Sequence, residues 1–338
     1  MKGDIVIKRL ITIAGLLLAI SLCGALAGSA AAADSPWGSN YFPNVPLVTQ
    51  EGKTVRLYDD LLKGKRVLIS FIFSNCEQGC PLDTANMARV QKLLGDRVGR
   101  DVFMYSITLD PENDTPEAMK EYAEQYHAAP GWLFLTGTRK DIDEVRYKFG
   151  DRGDKTEHAN AVQVGDVDKG RWIRVPLNAD PNYIALEIKN TLFPEWSRGK
   201  TLKSIAEAER SEVFGPGQLL YSSRCAACHT IGKGGNLGPD LMGITERRER
   251  NWLVNYLFTP DRMRAHKDPI ALELAKSYKV LMPNLNLTHK DIDELIDYLQ
   301  AMNVPAAKPE APQAAAGREK PGALAHEDHQ HHHVGENK

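Results

Sequence analysis

Val67-Leu68-Ile69-Ser70-Phe71-Ile72-Phe73 leads through Ser74-Asn75 into Cys76-Glu77-Gln78-Gly79-Cys80-Pro81. The first run is apolar and rich in β-branched and aromatic residues, which predicts a short strand buried on both faces. The thiols follow at its end, on a loop entering a helix marked by Met87, Val90 and Leu93-Leu94 at helical spacing. A helix dipole and free backbone amides favour thiolate there, so lowered thiol pKa values are expected. Two soft sulfurs four residues apart suit Cu(I) or a reversible disulfide, the latter near the outer limit of disulfide geometry for a helical i, i+4 pair.

Working outward, residues 102–109 and 132–135 read as further strands. A helix over 116–126 opens with Thr115 as its cap and Pro116 in its first turn, and another helix covers 141–149. Residues 161–164 and 172–175 pair as a hairpin around Asp166-Val167-Asp168-Lys169-Gly170, and 183–192 is a last helix. A β-α-β-α-β-α-β-β-α order with a cysteine pair after the first central strand implies an α/β thioredoxin-like domain over 34–196. Residues 197–213 are polar and helix-prone, a linker helix. Residues 214–303 are helical throughout, closing with Ile292, Leu295, Ile296 and Leu299 on one face. Residues 304–338 lack the apolar residues for a core and read as a disordered tail. Its His326, His329, His331, His332 and His333 suit weak sequestration of Cu(II), Zn or Ni, against the blander reading of a solvated tail.

The amino terminus has Lys2, Lys8 and Arg9, then an apolar run over 10–28 and Ser29-Ala30-Ala31-Ala32-Ala33. This is the pattern of a signal peptide over 1–33, with an uncleaved membrane anchor through residues 10–28 as the alternative. Either way the chain is read as exported, to the periplasm. The chain has 42 Lys and Arg against 44 Asp and Glu, with no dominant basic stripe, which argues against a nucleic-acid partner. Of the 5 cysteines, Cys23 lies in the leader. Cys76, Cys80, Cys225 and Cys228 all belong to two motifs, so none is left to staple an exported fold.

The second motif is Cys225-Ala226-Ala227-Cys228-His229, the spacing of covalent c-type haem attachment, with an unmodified metal knuckle as its alternative. Both cysteines face one side of a helical turn and form thioethers, while His229 turns to the iron. The segment resembles a class I cytochrome c. Gly217-Gln218-Leu219-Leu220-Tyr221 precedes the motif, Gly238-Pro239-Asp240-Leu241 follows it, and Met282-Pro283-Asn284-Leu285 matches the sixth-ligand segment. The resemblance implies that the Pro239 carbonyl accepts from the His229 ring and that Met282 is the axial sulfur. Met242 sits too close to the Gly-Pro turn and Met263 lacks a following proline. His/Met ligation leaves no open iron position and suits electron transfer.

Residues 41–196 resemble the Sco/SenC proteins. The matching elements are Cys76 and Cys80 followed by Pro81, Ile107-Thr108-Leu109-Asp110-Pro111 with Asp114-Thr115-Pro116, and His158 late in the domain. The resemblance implies a copper chaperone of cytochrome oxidase assembly, holding copper through Cys76, Cys80 and His158. Its partner would be the oxidase's copper-centre subunit or another periplasmic redox protein. Glu77 stands where the family usually has proline. It is an acidic neighbour that raises thiol pKa or adds a weak oxygen ligand.

Three functions compete: copper handling, thiol–disulfide exchange through Cys76 and Cys80, and plain electron transfer. A metallochaperone or electron carrier fits better than a turnover enzyme. If the haem lies on the order of 300 mV above a dithiol, reducing a disulfide from it is uphill by roughly 14 kcal/mol for two electrons. Copper and haem each exchange one electron, which favours copper as the haem's counterpart.

Overall fold

The computed structural model describes residues 37–76, 79–153, 160–197 and 215–303. The expected signal peptide, most of the linker, Glu77, His158 and the histidine tail lie outside the described residues. Among the described residues, no helix is long and apolar enough to cross a membrane.

The first unit is built around β3 (Arg66–Ile72). Val67, Ile69 and Phe71 enter one hydrophobic core, and Leu68 and Ile72 enter another. Both faces are therefore buried, as the uninterrupted apolar run predicts. Parallel strands β4 (Phe103–Thr108) and β5 (Trp132–Thr136) extend the sheet on one side, and antiparallel β6 (Ala161–Asp166) and β7 (Arg171–Pro176) on the other. The sequence reading starts the strands at 67, but the sheet begins earlier. β1 (Pro46–Thr49) and β2 (Thr54–Arg56) form an edge hairpin, giving the order β2-β1-β5-β4-β3-β6-β7. These strands are only 4 and 3 residues long, too short for a two-residue alternation to stand out.

Helices cover both faces. α1 (Cys80–Leu94), α2 (Pro116–Gln125) and α4 (Pro181–Leu192) pack on the side of Leu68 and Ile72. α3 (Arg139–Lys148) packs on the other side through Ile142 and Val145. Thr115 caps α2 as expected, its side chain accepting from the Ala118 amide. Two serines inside the sheet are satisfied: Ser70 and Ser106 pair at 3.0 Å, and Trp132 Nε1 donates to Ser106. This is the thioredoxin-like layout, with the cysteine pair where β3 gives way to α1.

The second unit is helical. α5 (Pro216–Leu220) runs on through Tyr221–Cys225. α6 (Arg250–Phe258), α7 (Pro260–Ala265), α8 (Pro269–Ser277) and α9 (His289–Met302) follow. α9 opens with a capping box between Thr288 and Asp291, and buries Ile292, Leu295, Ile296 and Leu299 as the sequence pattern predicts. α5 crosses α9 at Gly217. A Cβ there would lie 2.1 Å from the Glu294 carbonyl oxygen and 2.7 Å from Tyr298 Cβ, so only glycine permits this approach.

The two units share a core. Ala227 and Leu237 are buried in the cluster that contains Leu82, Tyr122 and Tyr126, with Cys228, Val280 and Leu285 packed against it. Ser222 also donates to Asp180, which caps α4. Gly217→Ala is expected to force the α5–α9 crossing apart at a cost of about 1–3 kcal/mol. A lower thermal midpoint of the full chain, with the α1–β3 region unaltered by hydrogen exchange, checks this.

Candidate redox sites

The dithiol loop hangs between β3 and α1. The Cys76 amide donates to the Phe73 carbonyl at 3.3 Å, and Cys80 opens α1 with Pro81 in its first turn. Cys76 is half-buried and Cys80 fully buried, and the two thiols hydrogen bond to each other. Both are reduced. The expected lowering of the thiol pKa does not hold for Cys80. Its hydrogen bond with Cys76 pushes the pKa up, burial and the Cys76 charge push further, and a backbone hydrogen bond from Phe73 offsets only part. Desolvation and a neighbouring sulfur outweigh the start of the helix.

The family motif around 107–116 has a physical role here that sequence alone did not reveal. Asp114, 1% exposed, accepts from the Ser74 amide at 3.2 Å and from the hydroxyls of Ser74 and Thr108. Thr108 in turn accepts from the Asp110 amide at 2.8 Å. Arg139 donates to the Leu109 carbonyl at 2.9 Å and pairs with Glu112. One buried carboxylate thus ties the end of β4 to the loop that carries Cys76. Charge and spacing alone would have marked Asp114 as a loop acid.

The second site is a cavity lined by Cys225, Cys228, His229 and Met282, with Leu82, Leu237, Tyr256, Tyr278, Val280 and Leu285 among its walls. His229 Nδ1 lies 2.8 Å from the Pro239 carbonyl, the contact implied by the cytochrome resemblance. That contact leaves Nε2 as the nitrogen available to a ligand. Burial lowers the His229 pKa more than this hydrogen bond raises it, which favours the neutral, ligating imidazole. Burial pushes both Cys225 and Cys228 up to about 12. The loop after His229 is pinned by Asp240, which accepts from the amides of Met242, Gly232 and Gly234 and is held down to about 2 by them. Met282 is fixed from behind, its carbonyl accepting from Arg264 Nη1 at 3.0 Å. Met242 is exposed, and neither it nor Met263 lines the cavity. The donor set and apolar walls fit a haem held by two thioethers, one imidazole and one thioether sulfur.

The family comparisons follow this division. The SCO1/SenC family model matches residues 38–169 and the cytochrome c model residues 215–303. The chain joins a SCO1/SenC domain to a cytochrome c domain. The cytochrome c domain implies haem c. The chain is 43% identical over 101 residues to the SCO1 protein homolog of Bacillus subtilis, which is 29% of this chain and 51% of that protein. It is 34% identical over 97 residues to protein SenC of Rhodobacter capsulatus, 29% of this chain and 42% of that one. The chain thus spans about half the length of the curated relatives it matches. Bradyrhizobium japonicum ScoI, solved with copper bound, aligns at 30% identity and a TM-score of 0.37 over 44% of this chain and 99% of its own.

Cys76 and Cys80 are thus brought together, as are Cys225, Cys228, His229 and Met282, whereas His158 lies outside the described residues. The sequence reading passed over Asp114 as a support of the dithiol loop, Arg264 behind Met282, and Leu82 in the haem cavity. Asp114→Ala is expected to cost about 2–3 kcal/mol, the range for losing buried hydrogen bonds to a charged group. Cys76 should alkylate faster in the folded variant. Denaturant unfolding and timed iodoacetamide labelling measure the two effects. A Cβ on Gly238 would lie 2.5 Å from His229 Cε1. Gly238→Ala should therefore tilt the imidazole and reduce haem retained per chain, read by the pyridine haemochrome assay.

Proposed function

We propose that this chain is an exported copper-handling protein whose SCO1/SenC domain holds copper through Cys76, Cys80 and His158. It delivers that copper to a respiratory oxidase, either at its copper-centre subunit or through another periplasmic redox protein. The observation that carries this reading is the pair of hydrogen-bonded cysteine side chains, one buried and one half-buried, at the head of α1. Sulfur ligands at such a site favour Cu(I), and the raised pKa of Cys80 makes metal entry release its proton. Cys225 and Cys228 would attach haem c, with His229 and Met282 as its axial ligands. The haem would supply one-electron exchange, the count that matches copper and not a dithiol.

The chain's own residues set the conditions. Asp114 holds the dithiol loop, Pro239 orients His229, and Arg264 fixes the backbone behind Met282. Leu82, Leu237 and Val280 line the cavity and would shield a bound haem from water.

A second reading rests on the same thiol contact. Sulfurs close enough to hydrogen bond are placed to close a disulfide, so thiol–disulfide exchange is the alternative. Metal loading separates the two. Reduced full-length protein offered Cu(I), and separately Cu(II), should retain about one copper per chain. Cys76→Ala and His158→Ala should lose most of it. Full retention in both variants ends the copper reading, and turnover of a protein disulfide by the copper-free form promotes the alternative.

A further inference from the structure

The dithiol loop and the sixth-ligand segment open onto one polar cleft. Ser74, Cys76 and Tyr126 line it from the SCO1/SenC domain, and Arg264, Lys279 and Met282 from the cytochrome c domain. Met282 and Arg264 line the haem cavity as well, so the two spaces share a wall. Tyr126 stands in this arrangement with only 3% of its surface exposed. It belongs to the buried cluster that also takes in Ala227, with Cys228 packed against that cluster. Its ring centroid is 4.8 Å from that of Tyr122, and the Tyr122 hydroxyl is 3.0 Å from Thr84 Oγ1. Thr84 sits one turn beyond Cys80 on α1. A continuous line of packed side chains therefore runs from the head of α1, through Tyr122 and Tyr126, to the segment that bears Cys228.

We propose that Tyr126 is a positioning residue common to both sites, holding the Cys76–Cys80 loop and the haem-attachment segment in one register so that the chemical state of the dithiol is felt at the haem. Close-packed interiors pass on a displacement instead of absorbing it, and Tyr126 has packed neighbours on both sides. Charge changes also carry further across a buried phenol than through water. The inference rests on Cys76 and Cys80 being the working pair, but not on copper being their ligand.

The cleft, about 310 Å³, admits a small reagent to the half-buried Cys76. Iodoacetamide replaces the Cys76 thiol hydrogen with a carboxamidomethyl group, forming a C–S bond and releasing iodide and a proton. The test uses the haem-loaded, copper-free full chain with its thiols reduced. Labelling at Cys76 is counted by mass spectrometry, and the haem midpoint potential and visible spectrum are recorded before and after. In the wild type the potential is expected to shift on labelling. Tyr126→Phe, which keeps the ring, should retain the shift. Tyr126→Leu should lose it while keeping its covalent haem, and Cys76→Ala should show no response to the reagent. An unchanged potential in labelled wild type overturns the proposal whether or not the leucine variant folds, and so does an equal shift in Tyr126→Leu. Copper stoichiometry is measured apart from this. Loss of copper binding with the haem response intact overturns only the copper reading, and the converse result overturns only the coupling.

Discussion

A strand buried on both faces constrains everything downstream of it. β3 fills two cores at once, through Val67, Ile69 and Phe71 on one side and Leu68 and Ile72 on the other. Its backbone can neither slip by one residue nor tilt without exposing one of those sets. The chain therefore leaves the sheet at a fixed point, and the next residues must turn at once into α1 to cover the Leu68 face. Cys76 and Cys80 occupy that turn. Their closeness follows from the geometry of the strand exit, and the Asp114 carboxylate holds the exit in place from the neighbouring strand.

The same covering helix brings the second unit in. α1 buries Leu82 in the core, and Ala227, Leu237 and Val280 of the cytochrome c domain join that core. The Ser222–Asp180 hydrogen bond adds a polar tie at the cap of α4. Hydrogen bonds from Ser222 and Asn182 lower the Asp180 pKa, outweighing the burial that acts to raise it. A depressed carboxylate contributes stability above its ordinary value and loses that contribution as pH falls through the depressed one. The tie is thus fully present at neutral pH and weakens only in strong acid.

Much of this was legible in the sequence where a local signal sufficed. The Val67–Phe73 run gave its strand because a doubly buried strand needs no alternation. Thr115-Pro116 gave a helix start because a cap and a proline are local devices. Cys225 to His229 gave a haem motif because attachment needs a fixed spacing within one turn. The β1–β2 hairpin was missed because its strands are too short to carry a period. The Cys80 pKa was misjudged because desolvation depends on what packs over the thiol, and helix-start reasoning does not include it. Asp114 and Tyr126 stayed silent for a related reason: each acts on groups brought close only by the fold.

Leu82 carries a last consequence. It belongs to α1 of one domain yet forms part of the wall of the other domain's cavity. Within the described residues, that wall is complete only when both domains are folded and seated. A cytochrome c unit cut free at the connector would bare Leu237, Val280 and Leu285 on that side, at about 25 cal/mol for each Å² of apolar surface newly wetted. Water would also enter that cavity and raise the dielectric where a haem would sit. The two halves are therefore not beads on a string: a leucine encoded in one forms part of the cavity wall of the other.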